Sequence, residues 1–266
     1  MDLNRGAHQR TGWIRVVEYH STLVGHIDGG REGRVGPDIV KDLAALVHRA
    51  DNDPGISAVV LIGASKGLFA GESEVVASPP QIDVRVTDYL QDFVTSIVDS
   101  FARGPFKPMD LRIHRRRPTG FDYGHQMRTT FEAMRASGTV FVAAMNGSAI
   151  GVGAEIAWAC DVRLMANGNF RIGHPTSSSG VDPAGTSRRL ADLIGVQKSL
   201  LALINGHLFS AEEALKVGAI DEIVPRSMLL ERALSAGDGL NVDAKESTSL
   251  MKRAIYTDRG LSTSRR

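Results

Sequence analysis

At 266 residues and 42% hydrophobic content, the chain is long enough to bury one large core, or one core with a helical appendage. A net charge of +1 provides no bulk field to hold nucleic acid or an acidic lipid surface, so neither is expected as a partner. The single cysteine, Cys160, excludes an intrachain disulfide, and no apolar run is long enough to span a bilayer. The opening "MDLNRGAHQRTGW" lacks the apolar segment of a signal peptide, so a reduced, cytoplasmic location is expected, with Cys160 as a small core residue.

Residues 13–28, "WIRVVEYHSTLVGHID", carry two short β-rich runs joined near His20-Ser21 and predict a hairpin. In "GPDIVKDLAALVHRADND", Ile39, Val40, Leu43, Leu46 and Val47 fall on one helical face, and Pro37 suits a first turn. "SAVVLIG" then reads as a continuous buried strand, and this alternation predicts an α/β layer structure. Val86, Leu90, Phe93, Val94, Ile97 and Phe101 predict an amphipathic helix over 84–103. The stretch 104–120, with Pro105, Pro108 and Pro118, reads as a loop. Its basic cluster (Arg112, Arg115, Arg116, Arg117, within 107–117) is either a solvated face or a contact for a phosphate-bearing ligand. A helix is expected around 122–137, followed by a second buried strand, "GTVFVAAMN".

"DVRLMA" and "NFRIG" predict two more strands. "SRRLADLIGVQKSLLALING" predicts two helices broken near Gly195, and "SAEEALKVGAI" a third that opens on a Ser210/Glu213 capping box. "DAKESTSLMKRAIYTD" is a last amphipathic helix before a short polar tail.

Two stretches raise a chemical question. "GSAIGVGAEIAWACD" (147–161) places a glutamate, Glu155, in an apolar run just after a glycine turn and one turn into a helix starting near Val152. The first amides of such a helix lack intrahelical partners and favour negative charge. "ASKGLFAGESE" is a second glycine turn after a strand. Each is by itself either a plain turn or half of a site; together they could aim two amides at one oxygen. An isolated buried carboxylate is costly unless it is paired or works as an acid or base.

Three segments, "AVVLIGASKGLFAGESE", "VFVAAMNGSAIGVGAEIAWACDVRLMA" and "NGHLFSAEEALKVGAIDEIVP", resemble the signature blocks of the crotonase (enoyl-CoA hydratase/isomerase) superfamily, over residues 13–75 and 138–256. The resemblance implies an α/β fold, a spiral of β-β-α units, with a C-terminal helical region that packs copies into homotrimers or dimers of trimers. The expected division is a core over 1–200, with a long insertion at about 76–137, and a helical region over 201–266. It implies an acyl-CoA or carrier-protein thioester as substrate, coenzyme A entering only as part of it, no metal, and a thioester enolate held by two backbone amides. Carried over by position, those amides belong to Glu72, after Gly71, and to Val152, between Gly151 and Gly153. Ala70, Gly71 and Gly151 would line the same place. The bulk of Val152 is expected to narrow the approach, and the Glu72 side chain to face solvent.

Glu155 matches the family's first catalytic glutamate. The block that supplies the second, after a proline, here reads "FRIGHPTSSSG" and puts Thr176 at the acidic position. Threonine cannot serve as a carboxylate acid or base. Asp182 is the candidate replacement. It resembles an aspartate of dihydroxynaphthoyl-CoA synthases and chlorobenzoyl-CoA dehalogenases, and equally suits an N-cap before Pro183. His174 is a substrate-side candidate that either donates a proton or serves structure. Lys66 is a candidate phosphate contact. Ser177, Ser178 and Ser179 are loop hydroxyls without a base partner. The leading expectation is hydration or dehydration of an enoyl thioester, a lyase reaction. Double-bond isomerisation, carbon–carbon bond chemistry, a non-catalytic acyl-CoA-binding protein and a purely structural oligomer partner are the alternatives.

Overall fold

The computed structural model describes residues 9–11, 13–30, 33–65, 67–72, 120–175, 187–238 and 245–258. The helix expected over 84–103 and the basic loop 107–117 lie outside the described residues, as do Lys66, Thr176 and Asp182.

The expected hairpin forms from β2 (Ile14–Tyr19) and β3 (Thr22–Ile27). Tyr19 pairs with Thr22, so His20 and Ser21 make the turn, and His20 adopts a left-handed φ of 50°. A short β1 (Gln9–Thr11) pairs with β2. Helix α1 (Pro37–Asn52) begins with Pro37 and buries the predicted stripe Ile39, Val40, Leu43, Leu46 and Val47. β4 (Ala58–Gly63), β6 (Val140–Met145) and β8 (Val162–Ala166) are the buried strands read from the sequence. β11 (Glu222–Val224) completes a sheet ordered β1-β2-β3-β4-β6-β8-β11 among the described residues. It is parallel from β3 onward. Strands buried on both faces read as unbroken apolar runs, which is why "AVVLIG" and "VFVAAM" were legible.

A second sheet was not. β5 (Gly67–Ala70), β7 (Gly147–Ile150), β9 (Arg171–Gly173) and β10 (Leu208–Ser210) lie in the order β10-β9-β7-β5. Only β9 was expected as a strand; β5 and β7 were read as glycine turns. From β4 to β9 the strands alternate between the sheets: β4, β6 and β8 in the first, β5, β7 and β9 in the second. Each step along the chain therefore lays one rung on each sheet, the β-β-α spiral expected. Helix α2 (Gly120–Ala136) precedes β6, and α3 (Val152–Ala159) follows β7. α3 is buried on every side. Burial of a side chain such as Ile156 contributes about 1.5–3 kcal/mol.

The C-terminal part is helical as predicted. α4 (Ser187–Ile194) and α5 (Val196–Ile204) break at Gly195, whose φ of 88° favours glycine. α6 (Ala211–Val217) opens on the expected capping box: Ser210 Oγ accepts from the Glu213 amide, and the Glu213 carboxylate accepts from the Ser210 amide. That second bond holds the Glu213 carboxyl below its usual range. α7 (Leu229–Asp238) packs on β4, β6 and β8 and was not anticipated. α8 (Lys245–Asp258) is the last expected helix.

Two lysines fasten α8 to the core. Lys245 Nζ donates to the Ala50 and Asp53 carbonyls at the end of α1, where a cation complements the helix dipole. Lys252, 8% exposed, donates to Asp161 Oδ2 (2.8 Å) and to the carbonyls of Met134 and Thr139. Asp161 Oδ2 also accepts from the Phe141 amide at the start of β6. Removing the lysine leaves a carboxylate without its cation, so Lys252→Ala is expected to cost about 3–5 kcal/mol in urea denaturation. A cost below about 1 kcal/mol would show the tie to be dispensable.

Candidate active site

The two glycine turns come together because their strands are neighbours. β5 and β7 pair in parallel, Gly67 opposite Gly147. Asn146, in the link between β6 and β7, locks the strand ends: its amide nitrogen donates to the Gly63 carbonyl, and its oxygen accepts from the Gly63 amide. Past β5, the Gly71 amide donates to the Gly33 carbonyl (2.7 Å) and the Glu72 carbonyl accepts from the Val35 amide (2.9 Å). Tyr123 of α2 donates its hydroxyl to the Val35 carbonyl (2.8 Å), bracing the same segment.

Past β7, Gly151 takes φ 58° and ψ −119°, a conformation that favours glycine, and its amide donates to Gly173 (2.9 Å). The Gly153 amide reaches across to the Gly71 carbonyl (3.0 Å), joining the turns directly. A Cβ on Gly151 would lie 3.3 Å from Glu72 Cα, and one on Gly153 only 2.0 Å from the Ala70 carbonyl oxygen. The main chains are thus in contact, and glycine is what permits it.

These bonds use the amides of Gly71, Gly151 and Gly153. The amides between and beside them, Glu72 and Val152, have no acceptor among the described residues. Val152 opens α3, where an orphan amide is expected. Its side chain packs in the main core. The Glu72 side chain is exposed, as expected, and Ala70, Gly71 and Gly151 are buried around the junction.

Glu155 lies one turn into α3, 1% exposed. Neither of its oxygens has a hydrogen-bond partner among the described residues. His174, the residue after β9, brings Nε2 to 3.1 Å from Glu155 Oε1. That is ion-pair distance, but the atoms lack the alignment of a hydrogen bond. The pairing of Ile150 with Gly173 in the second sheet places His174 beside α3. The Trp158 ring, one turn after Glu155, lies 5.9 Å from the imidazole, and its Nε1 is also buried without a partner. Such groups each cost about 1–3 kcal/mol in a folded protein and call for a ligand, a water or a chemical role.

Cys160 is buried and donates its thiol to the Ile156 carbonyl, and burial pushes the thiol up, so it is no nucleophile. The described residues contain no cluster of three or more His, Cys, Asp or Glu placed to hold a metal ion. Asn146, Tyr123 and the Gly33–Val35 segment are positioning groups that the sequence reading missed. "NG" after an apolar strand reads locally as a turn, and only the folded spiral brings Gly33, Val35 and Tyr123 to the segment after β5.

A family model for enoyl-CoA hydratase/isomerase matches residues 110–264, more than half of the chain. The chain belongs to the enoyl-CoA hydratase/isomerase family. A short-chain-enoyl-CoA hydratase of Clostridium acetobutylicum is 25% identical over 256 residues, covering 96% of this chain and 82% of that one. The fatty acid oxidation complex subunit alpha of Shewanella loihica is 30% identical over 201 residues, or 75% of this chain. The match spans only 23% of that longer relative. The crystal structure of an enoyl-CoA hydratase from Bacillus anthracis superposes with a TM-score of 0.70 at 20% identity, covering 94% of this chain and 84% of that one, and shares the fold.

In this family member the contact of Gly153 with Ala70 is a direct test of the junction. Gly153→Ala is expected to push the turns apart and weaken binding of a saturated acyl-CoA about tenfold or more in calorimetry, the loss of one well-formed hydrogen bond, with the circular dichroism of a folded chain. Unchanged affinity would separate the junction from substrate binding.

Proposed function

We propose that the protein is an acyl-CoA enzyme that forms a thioester enolate, most consistent with an enoyl-CoA hydratase. The carbonyl oxygen of the substrate sits between the amides of Glu72 and Val152, and Glu155 exchanges a proton with the substrate or an attacking water. One observation carries this reading. Two amides from contacting turns have no acceptor among the described residues, and the helix that one of them opens carries a buried carboxylate with no hydrogen-bond partner there. Amides fixed by their neighbours need little reorganisation as charge builds on the oxygen, and a lost donor typically costs about 10²–10³ in rate. The family and the hydratase relatives give the substrate class. Double-bond isomerisation is the second reading, favoured by Thr176 where the family has its second glutamate. Moving a double bond needs only one group that removes a proton and returns it elsewhere.

Apolar side chains stand exposed on α5 (Val196, 73%; Leu200; Leu201; Ile204, 63%) and on α8 (Leu250, Met251, Ile255). Exposed apolar stripes of this kind mark interfaces, and we read them as contacts between copies in a homotrimer or hexamer. Sedimentation is expected to give a trimer or hexamer for the wild type and smaller species for Leu200→Asp with Ile204→Asp. A wild-type monomer contradicts the interface.

Hydration is tested with crotonyl-CoA and longer enoyl-CoAs, followed by loss of enoyl thioester absorbance, beside a 3-enoyl-CoA for isomerisation. Wild type is expected to turn over one of them, and Glu155→Gln to lower that rate about 10²–10⁴-fold while still binding the thioester. Turnover unaffected by Glu155→Gln would remove Glu155 from the chemistry.

A further inference from the structure

We infer that Glu155 and His174 form one proton-transfer pair, with His174 in the role that the missing second glutamate leaves open. This rests on the enolate reading above and adds a residue to it. The geometry is specific. Glu155 Oε1 and His174 Nε2 are each shut off from solvent, each lacks a hydrogen-bond partner among the described residues, and they face each other at 3.1 Å. The histidine side chain as a whole remains 23% exposed, so the ring reaches from the buried carboxylate toward open space. A buried carboxylate without a donor is costly, and an adjacent imidazole that can deliver a proton to it relieves that cost. The misalignment has a meaning in this setting: neither atom is committed to a strong bond, and both can accept a third partner. The Trp158 ring lies 5.9 Å from the imidazole, tilted by 38°. Glu155 is fixed by α3 and His174 by the end of β9, elements that meet next to Val152.

In hydration the pair carries one titratable proton at the start. A water oxygen bonds to Cβ, and the water gives a proton to the pair. The π electrons of the Cα–Cβ bond move through the thioester onto the carbonyl oxygen, held by the amides of Glu72 and Val152. The pair then gives a proton to Cα as those electrons return. One proton has entered and one has left, so the pair is restored and water is added. A proton crossing between Oε1 and Nε2 resets which member holds it. A single carboxylate at this place would have to do both transfers alone.

The rival explanation is that His174 merely holds the carboxylate still. Glutamine separates the two, because its amide donates a hydrogen bond but moves no proton at neutral pH. The test is deuterium exchange at Cα of butyryl-CoA in D2O, followed by mass spectrometry, beside hydration of crotonyl-CoA, using the full chain. Glu155→Gln and His174→Gln are each expected to lower both rates about 10²-fold or more with KM within a few-fold of wild type. The double variant is expected to fall no further than the weaker single, as for residues acting as a unit. Thermal melting of His174→Gln near the wild-type value excludes misfolding as the cause; if it melts early, His174→Asn supplies the same comparison. Near wild-type rates in His174→Gln overturn the pair while leaving the enolate reading intact, as does loss of exchange in Asp182→Asn but not in His174→Gln. Exchange that persists at the wild-type rate in Glu155→Gln removes Glu155 from the chemistry and overturns the pair, and exchange absent in wild type that binds butyryl-CoA overturns the enolate reading and the pair together.

Discussion

The site depends on how closely two stretches of main chain approach each other. The Gly153 amide bonds to the Gly71 carbonyl, and there is no room for a side chain on Gly153 against Ala70. Everything around the junction serves that approach. β5 and β7 lie side by side in the second sheet, Asn146 ties the strand ends, and Tyr123 and Val35 hold the segment after Ala70. Once the neighbouring amides are consumed by these bonds, Glu72 and Val152 are left with hydrogens to give. In the function proposed above, donors held by neighbouring bonds in this way stabilise transient charge with little reorganisation.

Around that junction the protein accepts local cost. Glu155, His174 and Trp158 together bury polar atoms that no neighbour in the described structure satisfies. Elsewhere some buried charges are paired, Lys252 with Asp161 and Arg163 with Asp221. Unsatisfied buried groups are rare in native proteins, and those of Glu155, His174 and Trp158 lie together on α3 and at the end of β9.

Much of this architecture is written locally in the chain. The stripe of α1, the apolar runs of β4 and β6, the break at Gly195 and the capping box at Ser210 follow from spacing and turn chemistry within a few residues. The second sheet does not. β5 and β7 have only four residues each and include glycine; what makes them strands is pairing with segments far away in sequence. For the site, Glu155 and the two turns were visible because a carboxylate in an apolar helix and glycines after strands are local anomalies. The contact of His174 with Glu155 was not visible. Nineteen positions apart in the sequence, they meet only through the register of β7 with β9. The bracing by Tyr123 and Val35 was hidden for the same reason.

The most direct measurement of the central claim is the infrared carbonyl band of a saturated acyl-CoA labelled with carbon-13 at C1, free and bound to the protein. Two convergent amide donors polarise the thioester carbonyl, so the account predicts a clear shift of the bound band to lower frequency. A bound ligand whose carbonyl band stays at its position in water would contradict it, because the thioester oxygen would then lie away from Glu72 and Val152.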